Sequence, residues 1–231
     1  MVTIAQALQE VKQRIDRAIT ASGRPPGGVA LLAVSKTQPA AAVREAAAAG
    51  QQAFGENYVQ EALDKIAALA DLRPRLEWHL IGPLQSNKTR DAAQVFDWVH
   101  SVDRLKIAQR LAEQRPVGLP PLELCLQVNV SGEASKSGVA PDDLLALAQA
   151  VAALPRERVR LRGLMSIPEP AQGLEAQRVP HRRLHELMAA LNGVGLALDT
   201  LSMGMSADLE AAVAEGATVL RVGTAIFGAR A

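Results

Sequence analysis

One feature constrains this chain more than any other: a repeated alternation of short apolar runs with helical stretches. The runs fall at about 29–36, 53–55 (ending at Glu56-Asn57), 77–82, 97–102, 122–130, 159–167, 200–204 and 218–223. Helical patterns occupy 39–49, 58–70, a short stretch after Lys88, 103–115, 141–153, 180–192 and 207–215. A brief, nearly unbroken apolar run bounded by turn residues reads as a strand buried on both faces, although periodicity alone leaves a buried helix segment open. Strands in strict alternation with helices form parallel sheets, because each crossover helix covers a face. Eight such units in 231 residues predict an α/β chain folded as a single (β/α)8 TIM barrel over 1–231. The competing architecture, an open doubly wound sheet, calls for a glycine-rich phosphate loop after its first strand. Here that loop is Ser35-Lys36-Thr37-Gln38-Pro39, without glycine.

Ahead of the first strand, Ile4, Leu8, Val11, Ile15 and Ile19 are spaced as the apolar face of an amphipathic helix over 3–22, stopped by Ser22-Gly23-Arg24-Pro25-Pro26-Gly27-Gly28. This extra helix is expected to cover the bottom of the barrel or its side. Aromatic residues make up only 3% of a chain that is 48% hydrophobic, so the core must be built from Ala, Leu, Val and Ile. Lys+Arg 25 against Asp+Glu 24 leaves no electrostatic footprint for nucleic acid or an anionic membrane. The lone cysteine, Cys125, excludes a disulfide framework and any multi-cysteine metal site, and its apolar neighbours predict a buried, inert thiol. Met1-Val2-Thr3-Ile4-Ala5-Gln6 lacks the layout of a signal peptide, and no apolar stretch approaches the length of a membrane span. The cytoplasm is the expected compartment.

In a barrel of this kind the active face lies at the C-terminal ends of the strands. Those ends carry Lys36, Glu56-Asn57, Gly82, His100-Ser101, Asn129, Ser166, Met203-Gly204 with Ser206, and Gly223-Thr224. The loops after the last two strands are the usual phosphate site, and Ser202-Met203-Gly204-Met205-Ser206-Ala207-Asp208 and Arg221-Val222-Gly223-Thr224-Ala225 supply hydroxyls and glycines for close approach. In a purely structural reading the glycines end strands and Ser206 caps a helix. Lys36 is either a solvated strand end or a positioned amine. Closure puts the first strand beside the eighth, so Lys36 faces the phosphate loops. A lysine amine near a phosphate acts as a charge partner or forms an imine with a phosphorylated aldehyde. Pyridoxal 5′-phosphate (PLP) meets both needs, and Arg221, on the same strand face as Gly223, is the candidate partner of its ring nitrogen. An arginine there would leave that nitrogen unprotonated and disfavour strong carbanion chemistry.

Ala33-Val34-Ser35-Lys36-Thr37, Phe54-Gly55-Glu56-Asn57-Tyr58, the run from Trp78 to Lys88, Ser202-Met203-Gly204-Met205-Ser206-Ala207-Asp208 and the run from Leu220 to Gly228 together resemble the pyridoxal phosphate homeostasis protein family (YggS/PROSC type). That family is similar to the barrel domain of fold-type III enzymes such as alanine racemase. The resemblance implies that Lys36 carries PLP as a Schiff base, that Ser206, Gly223 and Thr224 hold the phosphate, and that Arg221 meets the ring nitrogen. Asn57, His79 and Met203, within the resembling motifs, complete the candidate set, with packing the competing role for His79 and Met203. The implied function is PLP binding in vitamin B6 and amino-acid homeostasis, without robust catalysis. PLP-dependent apo-enzymes are the implied partners, and a monomer is the expected state.

The alternative is a PLP-dependent amino-acid racemase, which needs a base on each face of its substrate. In alanine racemase the second base is a tyrosine from a partner's C-terminal domain, which this chain is expected to lack. A lysine-imine aldolase without PLP leaves Arg221 unexplained. Lys88 and Lys136 are expected on loops of the active face, as solvated lysines or rival amines. His181 and His185 sit at helical spacing, but on a helix expected to be exposed and without a third ligand, so no metal is expected.

Overall fold

The computed structural model describes residues 2–132 and 137–228. In chain order its elements are α1 (Ile4–Ala21), β1 (Ala30–Val34), α2 (Ala40–Ala48), β2 (Ala53–Glu56), α3 (Val59–Ala68), β3 (Glu77–Leu80), α4 (Thr89–Val95), β4 (Trp98–Val102) and α5 (Leu105–Gln114). There follow β5 (Leu122–Gln127), α6 (Leu144–Ala152), β6 (Val159–Met165), α7 (Leu174–Gly193), β7 (Thr200–Ser202), α8 (Leu209–Ala214), β8 (Val219–Val222) and a last turn of helix, α9 (Thr224–Phe227). The eight strands pair in sequence order, all parallel, and close into a barrel where β8 pairs with β1, Leu32 opposite Arg221 and Ala33 opposite Val222. The expected (β/α)8 architecture is therefore present.

Alternation along the strands builds two layers. Ala33, Phe54, Trp78, Leu80, Val99 and Leu220 point outward into the main core beneath the helices. Leu32, Val34 and Ile81 form a separate, small apolar cluster on the inner side. The thiol of Cys125 is fully buried, and burial pushes it up from its ordinary value, as expected of an inert cysteine.

The extra helix lies on the side of the barrel, not its bottom. Its buried stripe, Leu8, Val11, Ile15 and Ile19, faces α2, α8 and α9, across the seam where β8 meets β1. Its start is fixed by a capping box in which Thr3 accepts from the Gln6 N–H and the Gln6 side chain accepts from the Thr3 N–H.

Two helix boundaries differ from the sequence reading. Pro39 sits at the N-cap of α2 and not within its first turn. The helix predicted over 180–192 begins at Leu174, with Pro180 inside it. Proline usually marks a helix start because it has no N–H to donate. The turns before Pro180 carry no buried stripe, Leu174 and Val179 being exposed, so no periodicity revealed them. The exposure expected for His181 is also corrected. Its ring is fully buried and bonds to Asp208 (Nε2 to Oδ2, 3.0 Å), while His185 donates to the Glu215 carbonyl at 2.9 Å. The pair thus ties α7 to α8, assisted by Arg178 and Arg182 on Glu215 at 2.6 and 2.9 Å. Among the described residues, no helix is long and apolar enough to cross a membrane.

Two outcomes follow from this packing. Leu8→Ala should lower the unfolding free energy by about 2–5 kcal/mol in urea denaturation, since Leu8 is 1% exposed and loses both burial and packing. Burial pushes the Asp208 and Glu215 carboxyls up, but hydrogen bonds from His181 and the Met205 N–H, and from Arg182 and Arg178, outweigh it and hold both below their ordinary values. A carboxylate with a lowered folded pKa adds stability above its unfolded pKa and loses it as pH falls through the folded value. The melting temperature should therefore hold down to about pH 5 and fall below it, and Glu215→Gln should flatten that fall.

Candidate functional site

The closure of β8 against β1 opens a cleft of about 360 Å³ at the C-terminal ends of the strands, lined by Lys36, Asn57, Ser206, Arg221, Gly223 and Thr224. These belong to loops far apart in sequence, brought together by the strand order. Leu32, Val34 and Lys36 alternate onto the inner face of β1 and the residues that follow it, so the half-buried Lys36 side chain reaches the cleft. Gly223 lies close against β1: a Cβ there would stand 3.0 Å from the Val34 carbonyl oxygen. Asn57 is fixed from behind by Gly82, where a Cβ would fall 2.2 Å from the Asn57 carbonyl oxygen. Asn57 Oδ1 is buried and has no hydrogen-bond partner among the described residues.

Arg221 forms the floor. Its side chain is buried, donating from Nη1 to Ser202 Oγ (2.9 Å) and from Nη2 to the Ser166 carbonyl (2.8 Å). Burial lowers the guanidinium to about 10, so it remains charged at neutral pH. These bonds lead into a buried chain: Ser202 Oγ lies 2.7 Å from His100 Nδ1, and His100 Nε2 lies 2.9 Å from His79 Nδ1. An arginine can only donate, so Ser202 accepts from it, and of the two groups bonded to the Ser202 hydroxyl only His100 Nδ1 can take its proton. That assigns the His100 proton to Nε2 and the His79 proton to Nε2, facing Glu77 Oε2 at 3.6 Å. Burial, helped by the charge of Arg221, holds His100 well below its ordinary value and keeps it neutral.

Two candidate residues are not part of the cleft lining. His79 lies deeper in the barrel, stacked on Trp98 with centroids 5.4 Å apart, and reaches Arg221 only through His100 and Ser202. Met203 is fully buried in the main core. Met205, Ile167 and Phe227 add apolar wall. Lys88 lies 4.0 Å from Asp91 and outside the cleft lining, and Lys136 lies outside the described residues.

The phosphate-type loop has supports that sequence reasoning missed. Asp208, not Ser206, stands at the N-cap position of α8, and its Oδ1 accepts from the Met205 N–H at 2.6 Å. Arg14 of α1 donates to the Ser206 carbonyl (2.7 Å) and pairs with Glu210 (2.5 Å). The N-terminal helix is thus tied directly to the cleft, a link between residues almost 200 positions apart that no local pattern encodes. A second missed group is the buried Lys65, within α3, bonded to Glu56 and to the Ser35 carbonyl.

The lining offers an amine, a permanent cation, the hydroxyls of Thr37, Ser206 and Thr224, and close backbone approach. That donor set suits a small anionic aldehyde whose ring carries a basic nitrogen. The match to known proteins agrees. The family model of the alanine racemase N-terminal domain matches residues 7–231. The pyridoxal phosphate homeostasis protein of Pseudomonas aeruginosa is 66% identical over 230 residues, spanning 100% of this chain and 97% of that protein. Its counterpart in Escherichia coli is 53% identical over 231 residues, spanning 100% and 98%. Among solved structures, PipY of Synechococcus elongatus with PLP bound superimposes with a TM-score of 0.84 at 42% identity, covering 98% of this chain and 100% of that one. Alanine racemase from Corynebacterium glutamicum gives 0.68 at 18% identity, over 94% of this chain and 60% of that one, a likeness of fold alone. A family model reaching from residue 7 to 231 and a full-length relative at 66% identity place the chain plainly: it belongs to the pyridoxal phosphate homeostasis protein family.

Proposed function

We propose that the cleft holds PLP as an imine on Lys36 and that the protein serves intracellular PLP and amino-acid homeostasis without robust catalysis of its own. The observation that carries this reading is the shared lining of one cleft by Lys36, Arg221, Ser206, Gly223 and Thr224. In it, Lys36 supplies the amine, and Ser206, Thr224 and the backbone at Gly223 take the phosphate. Arg221 donates toward the ring nitrogen and Asn57 stands at the cleft wall beside the ring. When bound, PLP supplies a reactive aldehyde and an electron sink. Arg221 works against the second property: a charged guanidinium that keeps its proton leaves the facing nitrogen unprotonated. His79 and Met203 act behind the lining, His79 through the chain to Arg221 and Met203 by packing.

The racemase reading asks for a second proton-transfer group opposite Lys36. The sole tyrosine, Tyr58, is 58% exposed and is not among the cleft residues. A cytoplasmic monomer exchanging PLP with apo-enzymes fits the balanced charge of the chain and the relatives' name.

Borohydride reduction of the purified protein loaded with PLP, followed by peptide mapping, should give a pyridoxyl adduct on Lys36. A map without that peptide would end the cofactor reading. Incubation with single-enantiomer amino acids in deuterated water should leave optical purity unchanged. Loss of optical purity far beyond one turnover per protein would replace homeostasis with racemisation.

A further inference from the structure

Thr37, the residue directly after Lys36, has φ 62°, and among the described residues it is the one non-glycine in the left-handed region. A β-branched residue persists there only where its surroundings impose the conformation, and such strain gathers at functional sites. What imposes it is a compact network, buried at Lys65 and Glu56 and open to solvent at Thr37. The Thr37 N–H donates to Glu61 Oε1 at 2.5 Å. The Lys65 ammonium donates to the same Glu61 oxygen at 3.1 Å, to Glu56 Oε1 at 2.6 Å and to the Ser35 carbonyl at 2.7 Å. Ser35 Oγ donates to Glu56 Oε1 at 2.6 Å.

All three donors of the Lys65 ammonium are thus engaged. The two residues flanking Lys36 in sequence are tied to this one cation, Ser35 directly and Thr37 through Glu61. The pair lies deep: the side chains of Lys65 and Glu56 are 4% and 0% exposed. Burial pushes the Glu56 carboxyl up, against the pull of Lys65 and Ser35. A buried ion pair is a weak source of stability, because desolvation offsets much of its attraction and apolar replacements often do as well. Its better-attested use is to specify one geometry.

We propose that Lys65, acting with Glu61 and Glu56, is a positioning group that holds the turn after β1 in the strained form presenting the Lys36 amine to its aldehyde ligand. This rests on the reading of Lys36 as the amine that holds PLP. In that step the Lys36 nitrogen bonds to the aldehyde carbon, and its two hydrogens leave with the aldehyde oxygen as water. The brace touches no reacting atom. It raises the rate by fixing the direction from which the nitrogen arrives.

The test follows imine absorbance after mixing the full-length apo-protein with PLP, alongside thermal unfolding and the borohydride map. Glu61 is 28% exposed, so its variants should fold. Glu61→Ala should slow imine formation at least tenfold with a nearly unchanged melting temperature. Glu61→Gln, whose amide oxygen still accepts from the Thr37 N–H, should stay within threefold of wild type. Lys65→Met paired with Glu56→Met removes the buried charges together, and should melt above Lys65→Met alone while remaining slow. Wild-type rates in Glu61→Ala, Glu61→Gln as slow as Glu61→Ala, or a wild-type rate in the double variant would each overturn the brace. If wild-type protein gives no pyridoxyl-Lys36 peptide, the cofactor reading fails and the brace with it. If that peptide forms and the variants keep pace, the brace alone fails.

Discussion

The pairing of β8 with β1 is the constraint on which the rest of the molecule depends. It turns a linear series of strand–helix units into a closed wall, and it sets Leu32 opposite Arg221. With that register, the residue following β1 by two and the residues ending β8 face one another across the cleft. A slip of one residue would reverse which side chains point inward, sending Arg221 into the apolar layer under the helices and Leu220 into the barrel. The fold is protected from that slip by its outer layer, where Ala33, Phe54, Trp78 and Leu220 are all fully buried.

The same closure explains the placement of α1. A barrel seam joins the first and last parts of the chain, and α1 packs across it on α2, α8 and α9. Arg14 then reaches past the helices to the Ser206 carbonyl. One helix outside the eightfold pattern therefore joins the seam's outer surface to one wall of the cleft.

Much of this was legible in the chain. The strand runs and the gaps between them announce the barrel, because parallel strands need continuous apolar sequence and crossovers need length. Lys36 and Arg221 were legible as charged residues interrupting apolar strands or their ends, where burial demands a reason. Three things were not legible, each for a physical cause. The first turns of α7 carry no apolar stripe before Pro180, so nothing in the sequence marked them. Lys65 reads as an ordinary helical lysine four residues after Glu61, and only the approach of α3 to β1 and β2 reveals it as buried. His181 looks exposed beside Arg182 and Arg183, until α8 brings Asp208 against it.

The buried file of Arg221, Ser202, His100 and His79 runs inward from the cleft floor. Its hydrogen bonds all run one way, because the arginine at its head has protons to give and no lone pair to offer. With these tautomers the file offers no ready relay for protons. A proton arriving from the Glu77 end finds His79 Nε2 already occupied, and a hop in the other direction would have to be refilled by a guanidinium that keeps its proton. The polar interior thus has a fixed polarity: each bond in it points away from the guanidinium, and the file anchors the floor of the cleft.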